Sequence, residues 1–201
     1  MKKLLIAILF MWSNVIVFAD SPITSTDFAK AYQDIPIVSK MLELKGESVT
    51  DELIDYLADE DNPIDVKIAA INAVSIYKDV YTPLMKKLKN RWRTDSEITV
   101  LKEINASTHA ALAYAKAREN WFDLGEAYIL GYSAFLKDSR SFTVNMVYAL
   151  IVSTEILEHD FCEVFKICNS VISNNSLKQD MRPQAVSMMM EYIHLYEEYC
   201  K

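Results

Sequence analysis

Apolar residues recur along this chain at helical spacing. Phe28, Ala31, Tyr32 and Ile35 stand at i, i+3, i+4 and i+7, which predicts a helix over about 26–44. Pro36 should break or kink it, because proline lacks the N–H and clashes with the preceding turn. Lys45-Gly46-Glu47 ends it. Leu53, Ile54, Leu57 and Ala58 form one apolar face of a second helix over about 50–58. After a polar turn at 59–62, Asn62 reads as an N-cap and Pro63 as the first residue of a third helix. Ile64, Ile68, Ile71 and Val74 mark its buried stripe, and it should run to about Tyr77. Thr82-Pro83 repeats the cap-then-proline signal for a fourth helix through about Trp92.

The pattern continues to the end. Asp95 opens a long periodic segment through Ile98, Leu101, Ile104, Ala111 and Leu112, with a break expected near Ser107-Thr108. Asp123-Leu124-Gly125-Glu126 has capping-box spacing and starts a helix to about Leu136. Residues 142–157 are apolar on most sides and should lie at the centre. Two last helices cover about 161–172 and 183–200. There is no Asn-Gly or Asp-Gly hairpin signal and no clean two-residue alternation. The reading is all-α, with eight to ten helices.

One stretch has a more specific look. In 53–77, paired apolar residues at Leu53, Ile54 and Leu57 precede an acidic turn with Asp59 and Asp61. Pro63 and Val66 follow, then the small residues Ala69, Ala70 and Ala73. This resembles a HEAT-type helical hairpin, whose small residues would let two helices approach closely. The resemblance implies antiparallel hairpins stacked as a short, irregular α-solenoid. A non-repeating helical bundle is the alternative, since one unit cannot bury a continuous core. Two weaker echoes exist: Leu136-Lys137-Asp138 lies 79 residues after Leu57-Ala58-Asp59, and Ile104-Asn105-Ala106 lies 33 residues after Ile71-Asn72-Ala73.

The N-terminus changes the picture of where the protein works. Lys2 and Lys3 precede an apolar run from Leu4 to Trp12, and Val17-Phe18-Ala19 offers a cleavage site before Asp20. Residues 1–19 read as a secretory signal peptide and 20–201 as a single all-α domain, periplasmic or secreted. An uncleaved anchor is the alternative. The run contains Ser13 and Asn14 and is shorter than the about 20 apolar residues a comfortable span needs.

Composition narrows the chemistry. The 201 residues carry 21 Lys+Arg against 28 Asp+Glu, a net charge of −7. Loss of Lys2 and Lys3 makes the exported chain more acidic still. An acidic chain is poorly suited to nucleic acid, where Lys and Arg must neutralise phosphates; it suits a basic protein partner through long-range attraction. No HExxH, CxxC, GxSxG, GxGxxG or Walker sequence is present. His109, His159 and His194 are too far apart for a local metal motif. Glu155, Glu158, His159, Asp160 and Glu163 cluster as at a solvated helix end. Lys86, Lys87, Lys89, Arg91 and Arg93 flank Trp92 at a helix C-terminus, where the dipole favours cations. Met188-Met189-Met190 offers an adaptable surface, although Met189 shares a face with Ile193, Tyr196 and Cys200.

The three cysteines look poorly placed for bridging. Cys162 and Cys168 lie six apart on one helix, about 9 Å along its axis. A straight antiparallel hairpin turning at 173–182 would leave Cys200 about 7 Å past Cys162 axially, on a helix about 8–10 Å away. Three thiols are therefore expected, with a Cys162–Cys200 staple as the alternative. The functional expectation is an exported, non-catalytic, cofactor-free helical protein that binds another protein or peptide. The rival is a helical hydrolase or lyase using Glu126, His109, His159 or Tyr132.

Overall fold

The computed structural model describes residues 21–201, so the expected leader lies outside the described residues. These residues form α1 (Pro22–Ser25), a 3-10 turn (Ala29–Tyr32), α2 (Pro36–Glu43), α3 (Asp51–Ala58), α4 (Ile64–Asn72), α5 (Tyr81–Trp92) and α6 (Glu97–Glu103). Then come α7 (Ala106–Glu119), α8 (Gly125–Lys137), α9 (Phe142–Ile156), α10 (Phe161–Ile172), α11 (Pro183–Ile193) and a 3-10 helix (His194–Tyr199). The fold is all-α, as the periodicity predicts. The one extended pairing among the described residues is a bridge between Ser141 and Lys178.

Local chemistry sets most boundaries. Thr50, Ser96, Asn105, Ser141 and Asp160 each accept a backbone N–H at the start of a helix. Several expectations shift by a few residues. Pro36 starts α2 rather than kinking a longer helix, and the chain before it is a four-residue helix and a 3-10 turn. Asn62 is not the cap of α4; its Nδ2 donates to the Tyr56 carbonyl, and Pro63 takes the N-cap position. The Thr82 N–H is met by the Asp79 carboxylate, so α5 begins at Tyr81. The break in the long segment falls at Ile104-Asn105. Asp123 accepts from Gly125 N–H, but Glu126 turns outward to Tyr81 and Lys116 instead of closing a capping box.

The core is built around α7, which packs against α4, α5, α8 and α9. Residues Ala110 to Ala115 of α7 are all at most 1% exposed. α4 and α7 run parallel, because Lys67 Nζ donates to Thr108 Oγ1 and Asn72 Nδ2 to Tyr114 Oη, pairs 41 and 42 residues apart. Thus the small residues of α4 meet α7 more than they meet α3, with which the HEAT resemblance paired them. As expected, α9 is central: ten of its fifteen residues are buried.

Two features close the molecule. Residues 21–35 form a strap that packs on α4, α7, α9 and α11. At its far end Arg182, just before α11, donates to the Ala31 carbonyl and pairs with Asp34. The second is a disulfide between Cys162 and Cys200, with Cα atoms 4.8 Å apart. This corrects the expectation of three thiols; Cys168 is the free one, and it is buried. The straight-hairpin geometry fails because the linker after α10 is pinned to the start of α9. Phe142 N–H donates to the Lys178 carbonyl, and Thr143 bonds Asp180. α11 is thereby sent across to the strap, and the final 3-10 helix, not α11, returns along α10.

Candidate functional site

The helix pair α6 and α8 leaves an apolar groove between them. α6 is short because it is bounded by two caps, Ser96 before it and Asn105 after it, with Ile104 extended at ψ 151° between. Lys137, the last residue of α8, donates to the carbonyls of Lys102 and Ile104, a cation on the C-terminus of α6. That contact ties the C-terminal end of α8 to the C-terminal end of α6. Ile98, Leu101, Ile129, Leu130 and Leu136 line the resulting cavity of about 450 Å³, and His109 of α7 contributes a polar group.

Three of those side chains face water. Ile98, Ile129 and Leu136 are 68%, 66% and 64% exposed. Single exposed apolar residues need no explanation, but three on one groove form a patch of the kind that marks contact surfaces. On its other flank α8 carries Tyr128, Tyr132 and Phe135, which meet Tyr148 of α9 with ring centroids 5.5–6.0 Å apart. Gly131 permits that close approach, since a Cβ there would lie 3.1 Å from the Tyr148 ring. Tyr128 and Tyr132 remain exposed. α8 is therefore apolar towards the core and towards solvent.

His109 is 2% exposed, and its Nδ1 has no hydrogen-bond partner. Burial, reinforced by the Lys137 charge and opposed by a backbone hydrogen bond at Ile104, holds its pKa down at about 4. The ring is neutral at pH 7, and Nδ1 is enclosed by protein and not open to the groove.

The other sequence candidates are dispersed. Glu126 accepts from Tyr81 Oη at 3.0 Å and pairs with Lys116 at 3.2 Å. Tyr132 stacks in the aromatic row, and His159 is exposed after α9. None of these three lines the groove that holds His109. Asp160 caps α10 and Glu163 pairs with Lys166, so the acidic cluster is spent on a helix terminus. The basic cluster is likewise engaged: Lys87 with Asp55, Lys89 with Glu97, and Arg91 with the Ala58 carbonyl. Met189 and Met190 are buried. Among the described residues no group of three or more His, Cys, Asp or Glu is placed to hold a metal ion, and no helix is long and apolar enough to cross a membrane.

Sequence reasoning missed Ile129 and Leu136 as site residues. Their signal was present: α8 has apolar residues at too many positions for a one-sided surface helix. Comparison with family models, curated proteins and solved structures gives no match for this chain.

Proposed function

We propose that this is an exported, non-catalytic helical protein that binds another protein or peptide through the α6–α8 groove. The observation that carries this reading is the solvent-facing apolar stripe of α8, with Ile129 and Leu136 about two-thirds exposed beside a formed cavity. The fitting occupant is an amphipathic helix laying apolar side chains between α6 and α8. The net charge of −7 favours a basic partner by long-range steering. Periplasmic or secreted location rests on the leader-like residues 1–19, and the Cys162–Cys200 bridge supports an oxidising compartment. The parallel placement of α4 and α7 at a shift near 40 residues supports a short irregular solenoid.

The test compares wild type with an Ile129→Glu/Leu136→Glu variant as bait in the native compartment fraction. Both substitutions are on exposed positions, so the thermal midpoint should hold within a few degrees. A partner recovered by wild type and lost by the variant is the expected result. Equal recovery by both would remove the groove from the reading.

A further inference from the structure

The strap, residues 21–35, is held in the way a bound peptide is held. It folds only as two single turns, α1 and the 3-10 turn, and its backbone is met by side chains of the helices beneath. Thr154 of α9 accepts from Ile23 N–H, and Arg118 of α7 donates to the Ile23 carbonyl at 3.2 Å. Asn72 of α4 uses its whole carboxamide. Its Oδ1 accepts from Phe28 N–H and Ala29 N–H at 3.0 and 2.9 Å, and its Nδ2 donates to the Thr26 carbonyl at 2.9 Å. Arg182 donates to the Ala31 carbonyl. These bonds read backbone and are indifferent to the strap's sequence.

Sequence enters through three anchors, Ile23, Phe28 and Tyr32, each 0% exposed. The Tyr32 hydroxyl donates to Asp65 and accepts from Arg182 N–H. Backbone hydrogen bonds for affinity and spaced pockets for specificity is a division of labour found in peptide recognition. The strap joins α2 through the exposed residues Gln33 and Asp34. Beside it, an open cavity of about 490 Å³ is lined by Asn72, Arg118, Thr24 and Asp27, so the reading side chains border solvent while the strap is in place.

We propose that the face of α4, α7 and α9 is a second, peptide-binding groove, occupied in cis by residues 21–35. A partner segment folded in the same two short turns, with apolar side chains spaced as Ile23, Phe28 and Tyr32, the last an aromatic bearing a hydroxyl, binds there by displacing the strap. Because the strap is tethered, it competes at an effective concentration in the millimolar range, and a partner enters only when that advantage is overcome. This site is independent of the α6–α8 groove.

The experiment uses the full chain with a protease recognition sequence inserted between Gln33 and Asp34, cut after folding. A fluorescent synthetic peptide of residues 21–33 is added, and binding is read by anisotropy, with circular dichroism as the check on folding. The nicked protein should keep its helical spectrum and take up the peptide saturably. The uncut protein should bind it at least about ten-fold more weakly, through competition from the tethered strap. A peptide carrying Phe28→Ala should bind about ten-fold less well than the parent, a comparison that leaves the helical array unaltered. The Ile129→Glu/Leu136→Glu form should bind the peptide normally. Unfolding on nicking, a strap that does not exchange, equal uptake of a scrambled peptide, or loss of uptake in the α8 variant would each overturn the proposal.

Discussion

His109 and Lys67 illustrate how a polar side chain changes meaning when the fold surrounds it. Lys67 is fully buried with Thr108 Oγ1 as its hydrogen-bond partner, and burial pushes its amine down to about 8. His109 has the larger consequence for behaviour in mild acid. Its native pKa of about 4 lies below the ordinary value of 6.5, so between those limits the unfolded chain binds a proton that the native one refuses. The stabilising effect is whole above about pH 6.5 and is lost as the pH falls towards about 4. Between pH 7 and pH 5 the loss is about 2 kcal/mol. Urea midpoints of wild type and His109→Leu at both pH values check this. The variant should shed most of the difference, and identical slopes would refute a buried neutral imidazole.

Among the elements, the junction between α2 and α4 is the least forgiving. Gly46 sits at φ +67°, in the left-handed region, and a Cβ there would lie 2.3 Å from Ser75 N and 2.6 Å from the Ala73 carbonyl oxygen. Those atoms are backbone and cannot step aside as a side-chain tip could. Gly46→Ala should cost about 2–4 kcal/mol, combining strain and clash. Ala70, within α4 itself, faces a different demand. It is 0% exposed on α4, whose main neighbour is α7. Ala70→Leu should cost about 1–3 kcal/mol by overpacking. Chemical denaturation of both variants measures these costs, and an unchanged midpoint for Ala70→Leu would mean that the α4–α7 contact is loose.

At the scale of the whole molecule, the two ends of the described residues are fastened in two ways. Arg182 stacks 4.6 Å above the Tyr32 ring and pairs with Asp34, joining residues 148 positions apart. The disulfide closes a loop of 38 residues, which constrains the unfolded chain by about 4 kcal/mol on loop entropy. Thiol titration of the unfolded, unreduced protein should count one thiol, Cys168. Cys162→Ser/Cys200→Ser should lower stability by a comparable few kcal/mol, measured by urea titration without reductant. A count of three would contradict the bridge.

Residue order alone determined what depends on neighbours within a turn or two. Helical periodicity, the C-terminal glycine at Gly46 and the apolar character of α9 are all local, and each is found where the pattern placed it or within a few residues, whereas the caps expected at Asn62 and Thr82 pass to Pro63 and Val80. Only the tertiary structure decided which helix meets which. A stripe of alanines on α4 states that something comes close, but α7 rather than α3 takes that place, because the choice depends on contacts some 40 residues away. The Cys162–Cys200 bridge was misjudged for the same reason: the bonds from Phe142 and Thr143 to residues 178–180 redirect α11, and they link segments distant in sequence. The groove at His109 and the strap on Asn72 and Arg118 were equally hidden. Sequence patterns mark a face as apolar or a side chain as polar, while a binding site exists only once separate faces are set at a distance from one another.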